Sequence, residues 1–483
     1  MEDSAKVSPQ SSSLNLYFLP FPTPGHMNPL IDLAKVVAFY GHQVTILTTP
    51  SNVELIPKHL KVHTFNFPSD QIGLPQGLEN LSSAQDNETA YKIWKAMTLI
   101  KPQIENFVHQ NPPHALILDT MFTWGASKLT TNINGNVNIP TVVFNSMPIF
   151  VSCIAEALSS HPQVLASDSS VPFVVPGGLP HDLTLSVKPT PTRFGAFAHP
   201  LLHAKQNNSH GIIVNSFAEL EHGYTHYYEK LTGAKLWHVG MTSLMVDYCE
   251  NRSTAEKDSA DNECLKWLSS KEPRSVVYIC FGSLTRLQKE QYLEIARGIE
   301  ASGHKFLWVF PKNKNNEVEE EMLPQGFEER MKENDIGMVV RGWVPQCLIL
   351  KHVSIGGFIT HCGWNSVTEG ICAGVPMITM PRFGDQILNE KLVSEVHKVG
   401  VEVGVLEWSM SPYDARSKVV GWEQIENAVR RVMKDESGEL NKRVKEMKEK
   451  AHKAVQKGGS SCENLIALLQ SLQQKNDHVV DAN

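Results

Sequence analysis

Short apolar runs alternate with amphipathic stretches along nearly the whole chain, and this alternation limits the possible folds more than any other feature. In the first half, residues 14–19, 43–48, 62–67, 115–118, 141–144 and 211–215 read as strands. In the second half, 276–281, 305–310, 338–341, 356–360 and 377–380 do the same. Helical patterns fall between them, at 29–40, 90–110, 217–231, 289–301, 366–373 and 386–396. Such alternation predicts parallel sheets with helices on both faces. A chain of 483 residues has room for two or three domains of this kind. The stretch 241–262 is polar and without period and reads as an interdomain linker, and 312–321 as a surface loop. Helical segments at 436–457 and 461–474 follow, split by Gly458-Gly459. The expected layout is therefore a first domain over 1–240, a linker over 241–262, a second domain over 263–457 and a terminal helical segment over 458–483.

Composition narrows the function. The chain has 44 Lys plus Arg against 51 Asp plus Glu, a formal charge of −7. That balance argues against nonspecific nucleic-acid binding, which depends on neutralising phosphates. The window 139–155 is the most apolar, but Pro140, Asn145, Ser146 and Pro148 interrupt it. A bilayer span needs about 20 mostly apolar residues, so none is expected. The polar start lacks the apolar core of a signal peptide. The eight scattered cysteines form no CxxC pair and read as reduced thiols of a cytoplasmic protein. His222 and His226 stand at helical spacing, but no third ligand is evident, so they read as a surface helix rather than a metal site.

Two stretches carry chemistry. The first follows strand 14–19 and reads Phe-Pro-Thr-Pro-Gly25-His26-Met-Asn-Pro29. Pro29 suits a first helical turn and Gly25 a tight bend, which would aim His26 off the carboxyl edge of the sheet. Strand 115–118 would place Asp119 at the same edge. A lone loop histidine is usually a surface residue; one with a carboxylate at a neighbouring strand end is a candidate general base. The second stretch is 343–386, where aromatic, imidazole, amide, hydroxyl and carboxylate groups fill two strand–loop–helix units. Strand 356–360 runs into His361-Cys-Gly-Trp364-Asn365-Ser366, where a helix should begin. Helix N-termini bind phosphates through free N–H groups. Ser366-Val-Thr-Glu369 also fits a capping box, in which the same side chains would satisfy the helix itself.

Residues 343–386 resemble the plant secondary-product glycosyltransferase box of the family 1 UDP-dependent glycosyltransferases. The match has the full length without a gap: Trp343-x-Pro-Gln346, His361-Cys-Gly-Trp-Asn-Ser366, Glu369, Gly374-Val-Pro and Asp385-Gln386. The resemblance implies a GT-B architecture, two Rossmann-like doubly wound domains facing a central cleft. The acceptor would lie in the first domain and the UDP-sugar in the second, with the terminal helix packing back on the first. It implies that Trp343 stacks on uracil with Val344 and Gln346 nearby, and that Glu369 binds the ribose. His361, Asn365, Ser366 and Ser283 would hold the pyrophosphate, and Trp364, Asp385 and Gln386 the sugar. A final Gln and a central Trp favour glucose over galactose or glucuronate, while nearby Arg382 would suit an acidic sugar. His26 would be the base and Asp119 its partner in an inverting O-glucosyl transfer. Met121, Phe122, Ser146, Met147, Ile149, Phe150 and Phe197 are candidates for an apolar acceptor pocket suited to a triterpenoid, steroid or flavonoid. No Asp-x-Asp occurs, so no catalytic metal is expected, and no cofactor beyond the UDP-sugar co-substrate. A monomer is expected. A nicotinamide-dependent oxidoreductase would need Gly-x-Gly-x-x-Gly after a strand, and none occurs. A non-catalytic nucleotide-sugar binder would have no use for His26 and Asp119.

Overall fold

The computed structural model describes residues 13–122, 139–166, 171–189, 194–195, 198, 209–250, 262–310, 322–414 and 418–481. The chain divides into two units, one of Met1–Ile149, His199–Asn251 and Lys453–Asn483, the other of Phe150–Ala198 and Arg252–His452.

Strands β1 (Asn15–Leu19), β2 (Gln43–Thr48), β3 (Lys61–Thr64), β4 (Ala115–Asp119) and β5 (Thr141–Asn145) come first. A two-residue ribbon, β6 (Phe173–Val174) and β7 (Thr184–Leu185), is antiparallel. Strands β8 (Gly211–Val214) and β9 (Leu236–His238) complete the first sheet, whose order is β3-β2-β1-β4-β5-β8-β9. The second unit holds β10 (Val276–Cys280), β11 (Lys305–Phe310), β12 (Gly337–Arg341), β13 (Ile355–Thr360), β14 (Met377–Thr379) and β15 (Gly400–Glu402), in the order β12-β11-β10-β13-β14-β15. All pairings within both large sheets are parallel. Strands covered on both faces should be apolar throughout. The Ala-Leu-Ile-Leu-Asp run of β4 and the Ile-Gly-Gly-Phe-Ile-Thr run of β13 are accordingly buried at every position.

Both sheets repeat one pattern: the first strand is central, the chain winds outward, then returns to lay the fourth strand on the other side. The strand order therefore reverses between β1 and β4 in one sheet and between β10 and β13 in the other. In open parallel sheets, ligands bind beyond the carboxyl ends of the strands at this reversal.

The structure differs from the sequence reading in several places. The helix expected from residue 29 begins at Pro24 and runs to Phe39, so Pro29 lies inside it. The expected helix 90–110 is two helices, Asn87–Leu99 and Lys101–Gln110. Pro102, which has no N–H, sits in the first turn of the second. Residues 241–262 are not all irregular, because Thr242–Cys249 is helical. Residues 251–261 and 311–321 lie outside the described residues. The expected helix 386–396 changes at Leu392 into one turn of π-helix, Leu392–Val396. Strands β9 and β15 are three residues each, too short to show a period. Residues 150–198 group with the second unit. The last helix, Ser460–Asp481, is no such difference: it groups with the first unit. There the His210 imidazole meets the Ser471 hydroxyl at 2.8 Å.

Candidate active site

In the first unit, β1 leads through Phe21 to the helix Pro24–Phe39. The backbone N–H groups of His26 and Met27 donate to the Thr23 carbonyl at 3.0 and 2.8 Å, which opens the helix early and sets His26 in its first turn. Gly25 is not in the left-handed region, so the bend does not depend on it. Across the strand-order reversal, β4 ends in Asp119, which is fully buried. The His26 Nδ1 lies 3.0 Å from each Asp119 carboxylate oxygen. The Met121 N–H donates to the same carboxylate at 2.9 Å. An ionised carboxylate only accepts, so the pair favours a proton on Nδ1 and assigns base work to Nε2. The Ser146 hydroxyl also lies 3.0 Å from Nδ1. Phe21 meets the imidazole edge-on with ring centroids 6.1 Å apart, and Phe122 meets Phe21 at 5.5 Å.

Of the residues expected around an acceptor, Met121 is partly exposed. Ser146 turns to His26, and Phe122 backs the ring that touches it. Ile149 and Phe150 are buried at the start of the helix Ile149–Ser160, Phe150 grouping with the second unit, and Met147 is buried beside them. Phe197 lies outside the described residues.

In the second unit, Ser283 follows β10 and His361 follows β13, on the two sides of the other reversal. The imidazole of His361 lies against two glycines. A Cβ on Gly282 would come within 2.7 Å of the ring, and one on Gly363 would collide with its Nε2. Burial lowers the imidazole to about 4, so it is neutral at pH 7. Its Nδ1 is buried and makes no hydrogen bond of ordinary geometry among the described residues, although the Cys280 backbone acts on the ring and partly offsets the burial. A neutral imidazole next to a helix start suits a hydrogen bond to an anionic oxygen better than charge neutralisation does. That helix, Trp364–Ala373, begins two residues before Ser366 and has Gly363 at its N-cap without a side-chain bond. The capping-box alternative is therefore not realised. The Gln346 amide instead donates to Glu369 at 2.6 Å and to Ser366 at 3.3 Å, and its oxygen accepts from the buried Tyr278 hydroxyl at 3.1 Å. Trp343 is 89% exposed, an indole face unused by any core, while the adjacent Val344 is buried. Trp364 is buried and Asn365 partly exposed.

Asp385 and Gln386 open the next helix, Gln386–Lys391. The Gln386 oxygen accepts from the N–H groups of Arg382 and Phe383 at 2.9 and 3.1 Å. With that oxygen engaged, the amide presents its N–H donors, and partly exposed Asp385 supplies acceptors. An aromatic face, a carboxylate beside an amide, a neutral imidazole at a helix start, and a second carboxylate–amide pair can receive a base, a ribose, a diphosphate and a hexose in turn. Among the described residues, no three His, Cys, Asp or Glu side chains could hold a metal ion, and no helix is long and apolar enough to cross a membrane. Sequence reasoning missed Tyr278, the Ser146 contact and Asn389, which donates to Asp385 at 2.7 Å. Each acts through another segment, and only the motif positions of their partners carried a signal.

Comparison with known proteins shows the family. Residues 238–448 match the family described as UDP-glucoronosyl and UDP-glucosyl transferase. The UDP-glucosyl transferase 73CC6 of Saponaria officinalis is 41% identical over 489 residues, covering 96% of this chain and 98% of its own. The UDP-glucose flavonoid 3-O-glucosyltransferase 7 of Fragaria ananassa is 41% identical, covering 95% of this chain and 96% of its own. Among solved structures, Glycyrrhiza uralensis UGT73P12 complexed with glycyrrhetinic acid 3-O-monoglucuronide superposes with a TM-score of 0.83 at 32% identity, covering 98% of this chain and 99% of that one.

Proposed function

The chain belongs to the UDP-glycosyltransferase family and has its GT-B fold, and from that premise we propose that it transfers glucose from UDP-glucose to a hydroxyl of a hydrophobic plant metabolite, a triterpenoid, steroid or flavonoid, with inversion at the anomeric carbon. The observation that carries the reaction is the His26 Nδ1 held 3.0 Å from both oxygens of a buried Asp119. His26 Nε2 takes the acceptor's hydroxyl proton, and Asp119 keeps the ring oriented and stabilises the imidazolium as it forms. The oxygen then attacks the anomeric carbon from the face opposite UDP, so an α-linked donor gives a β-glucoside. General-base catalysis of this kind supplies roughly 100- to 10,000-fold, about 3–5 kcal/mol of barrier.

In this reading Trp343 stacks on uracil beside Val344, and Glu369, oriented by Gln346, binds the ribose. Ser283, His361, Asn365 and Ser366 receive the diphosphate, and Trp364, Asp385 and Gln386 the glucose. Neutral His361 and the N–H groups of helix Trp364–Ala373 would bind the diphosphate oxygens directly. The names of the relatives from Saponaria officinalis and Fragaria ananassa support a glucosyl donor.

A panel of UDP-sugars run against triterpenoids, steroids and flavonoids, with products identified by mass and anomeric configuration, tests the proposal. Turnover is expected with UDP-glucose, giving β-glucosides. Transfer from UDP-glucuronate alone would overturn the donor assignment and direct attention to buried Arg382. UDP binding without transfer to any acceptor would leave a nucleotide-sugar binder.

A further inference from the structure

We propose that Asn389, three residues beyond the matched box, is a positioning residue that fixes the diphosphate-facing turn and the sugar-facing carboxylate as a single rigid piece. The inference rests on the donor-site reading above. Asn389 is fully buried on the helix Gln386–Lys391. Its Nδ2 donates to the Cys362 carbonyl at 2.9 Å and to Asp385 Oδ2 at 2.7 Å. Both neighbours are acceptors, so they alone settle the orientation of the amide; its Oδ1 has no partner among the described residues.

The turn it grips is unusual. Cys362 has φ of +62°, in the left-handed region that residues with a Cβ seldom occupy. The Cys362 N–H is held by the Thr360 hydroxyl at 3.2 Å and its carbonyl by Asn389, so the peptide units on both sides of the strained residue are pinned. A planar trans peptide sets a carbonyl and the following N–H on opposite sides. Drawing the Cys362 carbonyl to Asn389 therefore turns the Gly363 N–H away from Asn389, at the N-cap of the helix whose first turn faces the diphosphate. The other bond of the same Nδ2 fixes the carboxylate that receives hexose hydroxyls. One amide thus sets the distance between two recognition elements that are 23 residues apart in sequence (362 and 385).

Affinities for uridine, UDP and UDP-glucose, measured by calorimetry with displacement titration for the weakest ligand, test this on Asn389→Ala. Uridine binding should stay within about twofold, because its partners Trp343, Gln346 and Glu369 do not depend on Asn389. UDP should weaken by about 10-fold and UDP-glucose by about 10- to 100-fold, the range for bonds to charged groups. If the alanine variant does not fold, the near-isosteric Asn389→Leu, which fills the space but cannot donate, should give the same graded loss. Equal weakening of all three ligands, no weakening, or a loss confined to UDP-glucose would overturn the proposal. Failure of the unaltered protein to bind UDP would overturn the donor-site reading instead.

Discussion

Two histidines flank the strand-order reversals of two sheets that share the same inner strand order, one from each side of its reversal, and their surroundings make them opposites. His26 follows the first strand of its sheet and His361 the fourth strand of the other, each at the point where strand order reverses. His26 is tied through Nδ1 to a buried carboxylate, which supports a positive ring. Among the described residues, His361 has no carboxylate at bonding distance; burial holds it near 4 and glycines leave it just enough space. Topology therefore supplies the address, and the neighbouring side chains decide whether an imidazole there moves a proton or stays neutral and donates. The same division separates the two carboxylates: Asp119 is fully enclosed behind its histidine, whereas Asp385 is partly exposed and available for ligand.

The sharpest way to break this contrast is to delete each ring in turn. His26→Ala should lower kcat by roughly 100- to 10,000-fold, the contribution of a general base, while the calorimetric Kd for UDP stays within about twofold. His361→Ala should do the reverse, raising the Kd for UDP by about 10-fold, the loss of one bond to a charged group. If both variants lost turnover and UDP affinity alike, the separation of roles would fail.

A smaller effect sharpens the comparison through acid stability. His361 and the buried His238 both sit near 4 because burial disfavours the charged ring. The unfolded chain takes up their protons first, so their contribution is present above about 6.5 and is lost as pH falls toward 4. Glu390 runs the other way. Burial, and then the charge of Glu402, pushes its carboxyl up to about 8. The folded protein keeps that proton while the unfolded chain releases it, so Glu390 costs stability as pH rises from about 4.5 to 8. Thermal melts of Glu390→Gln should show a gain over the unaltered protein that is greatest at pH 8 and vanishes near pH 4.5. A gain independent of pH would show that Glu390 does not carry the burial-raised proton.

Much of this was legible from the chain. The buried strands β2 and β11 fall where the apolar runs begin and end, and Asp119 was recognisable because a buried run stops on it. Trp343, Glu369 and Gln386 were singled out by the resemblance to the box, and the structure sets Glu369 against Gln346 and Gln386 at the start of a helix. What could not be read follows a common cause. Ser366 and Glu369 have the spacing of a cap, but the helix starts at Trp364, and only the distant Gln346 shows what they do instead. The Ser146 contact with His26 spans 120 positions and that of Asn389 with Cys362 spans 27, and no local pattern encodes either. The early start at Pro24 was hidden because Pro29 looks like a better first residue than an interior one.

The first unit is assembled from three separated stretches of sequence, the last of them beginning at Lys453. Within that stretch, Cys462 lies 3.4 Å from the Tyr40 hydroxyl and the Ser460 hydroxyl donates to Glu219 at 2.8 Å. During synthesis the amino-terminal sheet can form early, but these docking contacts must wait until the ribosome has made the residues beyond 452. The second unit, whose pieces end at His452, can be finished first. The domain that is translated first is thus the one completed last.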